Sequence, residues 1–181
     1  AVANTRDGQS IGNFVSIRLG TGTGSFGDPT NFGENIDHKS IVTGDFNGDG
    51  KLDLATTPYL DNFISILLGD GTGSFGTAVK INTQTPKFTL DTAAYIRDCK
   101  SDSVPSNDSE TDNCSVVLGD GKGNFNSPVN LTSPGTEFRT VVTADFNGDG
   151  KLDIAANNDR FQSVSVFLGD GTGNFDTANN F

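Results

Sequence analysis

Four segments of the chain are near-copies of one another. SIRLGTGTGSFG (16–27), SILLGDGTGSFG (65–76), SVVLGDGKGNFN (115–126) and SVFLGDGTGNFD (165–176) align without gaps, the first two starting 49 residues apart and the later ones 50. Self-similarity at that period restricts the fold to an array of one supersecondary unit, each copy burying a face against the next. In every copy an alternating apolar run meets a Gly-rich turn and then a Phe: Phe26, Phe75, Phe125 and Phe175. Alternation marks a half-buried strand, and the Gly and Asp of G-D-G tolerate the positive φ of a hairpin turn. The four Phe are expected to plug the core between one repeat and the next.

A second strand pair lies upstream of each hairpin. KSIVTGDF (39–46) and RTVVTADF (139–146) run into an acidic phrase, and KLDLATTPY (51–59) and KLDIAANND (151–159) leave it. The unit is therefore strand, acidic loop, strand and hairpin, four strands in about 50 residues, which is the rhythm of a β-propeller blade. A β-solenoid has shorter coils and lacks this hairpin. The expected fold is all-β, a single repeat domain over 1–181 made of four-stranded antiparallel blades. Repeats fall at about 1–30, 31–79, 80–129 and 130–181. The first lacks its first strand, because AVANTRDG matches the strand that follows the acidic loop. Four blades are few for a ring, so neighbouring copies or flanking sequence are expected to cover the outer faces.

The acidic phrase, DFNGDGKLDLA at 45–55 and DFNGDGKLDIA at 145–155, reads as a metal loop. Asp45, Asn47, Asp49 and Asp53 occupy loop positions 1, 3, 5 and 9, with the Lys51 carbonyl at 7. Asp145, Asn147, Asp149, Lys151 and Asp153 repeat the set. Oxygen donors at alternate positions, with Gly at 4 and 6, curl a short loop around one hard cation, and an all-oxygen, flexible set favours Ca²⁺ over Mg²⁺. Three carboxylates this close repel one another without an ion. The Lys51 ammonium is expected to face solvent. An EF-hand is excluded, since position 12 is Thr56 and the flanks are strands. Turn formation alone explains the glycines but not the recurring acidic set.

DFNGDGKLDLA followed by SILLGDGTGSFG resembles the FG-GAP, or VCBS-type, repeat, the blade of integrin-α-like propellers, and the resemblance covers nearly the whole chain. It implies that the loop between a blade's first two strands binds Ca²⁺ at the positions above, giving two structural sites. It also implies adhesion or lectin-type binding through loops or inter-blade clefts.

The third repeat departs from the pattern. A 50-residue offset maps Asp45, Asn47, Asp49 and Asp53 onto Tyr95, Arg97, Cys99 and Ser103, which keep none of the ligands. Nearby, DCKSDSVPSNDSETDNC carries the only two cysteines, Cys99 and Cys114. Outside the cell they would close a polar loop by a disulfide, one crosslink substituting for another; in a cytosolic protein they would be free thiols. Asp98, Asp102, Asp108, Glu110 and Asp112 lack the regular spacing of a second cation site. Asn107, Asn113 and Asn130 head N-x-S/T sequons, whose glycosylation depends on the host.

The formal charge of −11, with no basic run, argues against nucleic acid and anionic membrane surfaces. No apolar stretch approaches the ~20 residues of a membrane span. Methionine is absent even at position 1, so a processed chain, or a piece of a longer one, is expected outside the cell or at its surface. One histidine, His38, and no nucleophile elbow or paired glutamates leave little catalytic equipment, and no enzyme activity is expected. The function expected is binding of a protein or glycan ligand, with Ca²⁺ structural. Tyr59, Tyr95 and Phe161 are the aromatic candidates for a sugar, although Trp is absent. The alternatives are a structural subunit in which copies stack into a filament or other assembly, and an accessory domain of a larger secreted enzyme.

Overall fold

A computed structural model describes residues 2–3, 14–33, 36–58, 61–83, 89–92, 95–99, 114–120, 122–131, 138–158 and 162–181. These form strands and turns only. The first repeat supplies β1 (Val2–Ala3), β2 (Val15–Ile17) and β3 (Thr30–Phe32). The second supplies β4 (His38–Gly44), β5 (Asp53–Pro58), β6 (Phe63–Leu67) and β7 (Val79–Asn82). The third contains β8 (Thr89–Thr92), β9 (Tyr95–Cys99), β10 (Cys114–Leu118) and β11 (Val129–Leu131). The fourth contains β12 (Phe138–Ala144), β13 (Asp153–Asn158), β14 (Ser163–Phe167) and β15 (Asn179–Asn180). Each repeat is one antiparallel meander, three-stranded in the first and four-stranded in the others. The fold is the all-β, propeller-blade architecture read from the repeats, and the first blade lacks its first strand as expected. First strands lie innermost: β8 packs against both β4 and β12.

The apolar side chains form three layers, each shared by two neighbouring sheets. Val15 and Ile17 meet Leu54 and Leu67 between the first and second repeats. Phe46, Ala55, Ile64, Ile66 and Ile81 meet Val117 between the second and third. Cys114, Val116 and Leu131 meet Phe138, Ile154 and Phe167 between the third and fourth. Strand alternation produces this division. Along β10, Cys114 and Val116 point to the following sheet and Val117 to the preceding one. The motif Phe residues behave as plugs where a preceding sheet exists: Phe75, Phe125 and Phe175 each pack on the layer before them. Phe26 has no such sheet and is 67% exposed.

The third repeat keeps its 50-residue length by two opposite changes. Ile96 pairs with Val117 as Ile154 pairs with Phe167, so Tyr95 occupies the strand position of Asp153 and Asp53. The β8–β9 connection is positions 93–94, whereas β4 and β5 are joined by the eight residues 45–52. The acidic loop is thus deleted rather than overwritten. Length is added at the far end of β9, which fourteen positions (100–113) join to β10 where four (59–62) join β5 to β6, and there Cys99 and Cys114 stand opposite one another in register. The cysteine pair therefore does not stand in the position of the acidic loop; it lies at the opposite end of the strand.

Candidate functional site

The acidic loop begins where β4 ends, and its glycines fold it back. Gly48 and Gly50 adopt φ of 74° and 79°, the left-handed region that a side chain resists. That turn brings the loop's amides onto Asp45: Oδ1 accepts from Gly48 and Asp49, and Oδ2 from Gly50, at 2.7, 3.1 and 2.8 Å. Asn47 Oδ1 accepts from the Asp49 amide at 3.0 Å, and Asp49 Oδ1 from the Lys51 amide at 2.9 Å. The fourth repeat copies these bonds at Asp145, Asn147 and Asp149. The Lys51 and Lys151 amides hold the Asp49 and Asp149 carboxyls below the usual carboxylate range. Contrary to expectation, the Lys51 ammonium turns back onto Asp49, 3.3 Å away, and Lys151 does the same to Asp149 at 3.4 Å. Amide donors and this ammonium offset the repulsion among the carboxylates.

Asp53 has a role that spacing did not disclose. It is fully buried at the start of β5, with Oδ2 accepting from the Phe46 amide and Oδ1 from the Gly69 amide, both at 2.8 Å. It fastens the acidic loop to the hairpin that follows β6. Asp153 bonds Phe146 and Gly169 in the same way. The hairpin comes so close that a Cβ on Gly69 or Gly169 would overlap the carbonyl oxygen of Leu52 or Leu152. Gly169→Ala should therefore lower stability by about 2–3 kcal/mol in urea unfolding, as overpacking does. Gly20→Ala, at the matching site beside no acidic loop, meets only the Phe26 ring at 3.9 Å and should change stability by less than about 0.5 kcal/mol.

Whether these loops suit a cation depends on their oxygens. Among the described residues no three His, Cys, Asp or Glu side chains converge into a ready-made cage. The donor set nevertheless fits a hard ion. A carboxylate offers about four lone-pair positions and an amide oxygen two, so the bonds above leave acceptor capacity on Asp45, Asn47 and Asp49. Every side-chain donor at these positions is an oxygen, the type Ca²⁺ takes.

Three further carboxylates organise the hairpin tips. Asp70 Oδ1 accepts from the Thr72 hydroxyl and amide, both at 2.7 Å, and from the Ser74 amide. The Thr72 hydroxyl holds its carboxyl below the usual range; the Asn124 side chain does this for Asp120, and the Thr172 hydroxyl with Asn174 for Asp170. Sequence reasoning took these aspartates only as turn formers. It also missed a cross-strand pair visible as a spacing of 15: Ser16–Asn31, Ser115–Asn130 and Ser165–Asn180, each hydroxyl bonding the amide oxygen. Asn130, one of the sequon asparagines, is thereby held in β11. His38 is buried with Nδ1 3.0 Å from the Thr56 hydroxyl, a place in the core. Asn107, Asn113, Tyr59 and Phe161 lie outside the described residues, as do the side chains of Cys99, Tyr95 and Asp98, and the other acidic residues of the Cys segment.

Between the first and second repeats an open cleft of about 510 Å³ runs beside the acidic loop, lined by Leu19, Thr43, Lys51, Leu52, Ser74 and Phe75. It combines an apolar floor with a cation and hydroxyl groups.

Meander sheets stacked face to face, first strands innermost, define a repeat protein built of β-propeller blades. The chain belongs to the FG-GAP-like repeat family, whose model matches residues 1–56 and 97–156; an FG-GAP repeat model also matches 39–74. No curated protein matches it. Among solved structures, a lectin of Agrocybe aegerita, described for its specific recognition of non-reducing terminal N-acetylglucosamine, is similar with a TM-score of 0.60 and 19% identity. The match covers 91% of this chain and 45% of the lectin chain, so this chain spans under half the lectin's length. At that identity the likeness shows the fold.

Proposed function

We propose that this chain is an extracellular, calcium-stabilised binding module, without enzyme activity, whose ligand is a glycan or a protein held at an inter-blade cleft. The observation that carries the calcium reading is that two loops 100 residues apart gather the same oxygens on the same scaffold. Asp45, Asn47, Asp49, the Lys51 carbonyl and Asp53 would hold one ion, and Asp145, Asn147, Asp149, the Lys151 carbonyl and Asp153 the other. The ion would supply the charge that now comes from amides and Lys51, locking each loop against its hairpin. A Cys99–Cys114 disulfide is part of the same reading, supported by their facing positions in register. The apolar and hydroxyl lining of the cleft beside Lys51 supports ligand binding there.

Chelation is the test of the calcium reading. With Ca²⁺ at about a hundred times Kd, each site adds roughly 2.7 kcal/mol. For a chain of this size two sites raise Tm by about 10 °C or more. Asp149→Ala should remove about half of that calcium-dependent rise. A melt indifferent to both calcium and chelator overturns the reading. Because the similar lectin recognises terminal N-acetylglucosamine, sugars ending in that residue are the first ligands to titrate. Amide shifts at Leu19, Lys51 and Ser74 would support the cleft, and shifts confined elsewhere would overturn it.

A further inference from the structure

Asn47–Gly48 and Asn147–Gly148 are the only asparagine–glycine pairs in the chain, and both stand at the same place in the acidic loop. Every other asparagine precedes a residue with a side chain. The difference is chemical. A main-chain nitrogen that follows asparagine can attack the side-chain carbonyl carbon and close a five-membered ring, and glycine there puts no Cβ in the way.

The loop holds both reacting groups. Asn47 Oδ1 accepts from the Asp49 amide at 3.0 Å, and Asn147 Oδ1 from the Asp149 amide at 2.9 Å. Attack places negative charge on that oxygen, so a donor aimed at it favours the reaction. The nitrogen, by contrast, is held back. The Gly48 amide donates to Asp45 Oδ1 at 2.7 Å, and the Gly148 amide to Asp145 Oδ1 at the same distance. The Asp49 and Gly50 amides converge on the Asp45 carboxylate as well, so Gly48 turns toward Asn47 only when the loop unwinds from Asp45. An activated carbonyl thus sits beside a tethered nucleophile. Gly48 and Gly148 are exposed, which gives water access to whatever forms there.

We propose that Asn47 and Asn147 are sites of self-modification, kept as asparagine by Asp45 and Asp145 and converted when their loop opens. In the step, the Gly48 nitrogen bonds to Asn47 Cγ and gives its proton to solvent. The Cγ–Nδ2 bond breaks, and Nδ2 takes up a proton and leaves as ammonia. Water then opens the resulting succinimide at either carbonyl, giving aspartate or isoaspartate. Aspartate adds a charge beside Asp45 and Asp49. Isoaspartate inserts a methylene into the main chain, which draws the following amides off Asp45. Each conversion is irreversible and records the opening of its loop. The reaction needs no bound calcium, and its failure leaves the calcium reading standing.

The test is peptide mapping by mass spectrometry, in neutral buffer with excess chelator, reading the mass gain of amide-to-acid conversion and the enzymatic methylation of isoaspartate. Residues 45–53 and 145–153 are identical, so both asparagines should convert at one rate in the urea-unfolded chain. In the folded parent both should convert about tenfold or more slowly, because the closed loop is unreactive. Asp45→Ala should speed Asn47 about tenfold and leave Asn147 at the parent's rate, and Asp145→Ala should do the reverse. Below the parent's unfolding transition the rates should barely change with urea, since opening one loop exposes little surface. Equal rates in the folded and unfolded parent overturn the proposal. So does an Asp45→Ala chain in which Asn47 keeps the parent's rate, or in which both asparagines speed up alike. A parent rate that climbs with urea as steeply as global unfolding also overturns it, because the whole chain and not the loop would then be the gate.

Discussion

Asp53→Ala is expected to lower the unfolding free energy by about 2–6 kcal/mol. The substitution removes the acceptor of two amides, Phe46 and Gly69, both bonded in buried surroundings. A buried donor left unsatisfied costs about 1–3 kcal/mol, and here there are two. Against a typical total of about 5–15 kcal/mol, that is a large fraction of what holds a domain of this size. Asp53→Asn should lose roughly half as much, because its amide oxygen accepts one N–H while its NH₂ faces the other. Urea titrations of the three proteins should be made with excess chelator present. If Asp53 acts as a clasp, the deficit persists without metal. If the three proteins unfold together under chelation, Asp53 matters only as a ligand and the clasp is wrong.

The second large effect is at Phe167. Its ring is almost wholly buried and meets Phe138 edge-on at 6.0 Å, in the layer between the third and fourth sheets. Phe167→Ala should cost about 3–5 kcal/mol through lost contact and the cavity left behind. The distribution of that loss is the sharper expectation. Among the described residues each buried apolar layer is shared by two neighbouring sheets, so the deficit belongs to one junction. Hydrogen exchange should show β12–β15 losing protection while β4–β7 keep theirs. Uniform loss across all four repeats would mean that the layers do not act separately.

Much of this was legible in the residues. Strand alternation into G-x-G and then Phe repeats four times, and the sheets follow it, down to the missing first strand. The acidic loops stood out because Asp45, Asn47, Asp49 and Asp53 return unchanged at Asp145, Asn147, Asp149 and Asp153. What escaped were features that spacing hides. The third repeat lost its acidic loop and gained length at 100–113, and because the changes cancel, a fixed offset laid Tyr95 on Asp45 rather than on Asp53. Asp53 has the same spacing whether or not it also clasps two amides; only its burial and its bonds to Phe46 and Gly69 reveal the clasp. Lys51 was expected to face solvent, and its contact with Asp49 two positions away is not visible in spacing. The Ser–Asn pairs were in view as a constant separation of 15, but Ser and Asn are common enough that the recurrence drew no notice.

The facing of Cys99 and Cys114 has a consequence for how this protein tolerates change. The fourteen positions between them leave and re-enter the sheet at adjacent points, so the ends are already held together however long the intervening chain becomes. The entropy of closing such a detour grows only logarithmically, about 0.6 kcal/mol for each doubling. That corner is a natural graft point, where foreign sequence adds little to the cost of closing the chain.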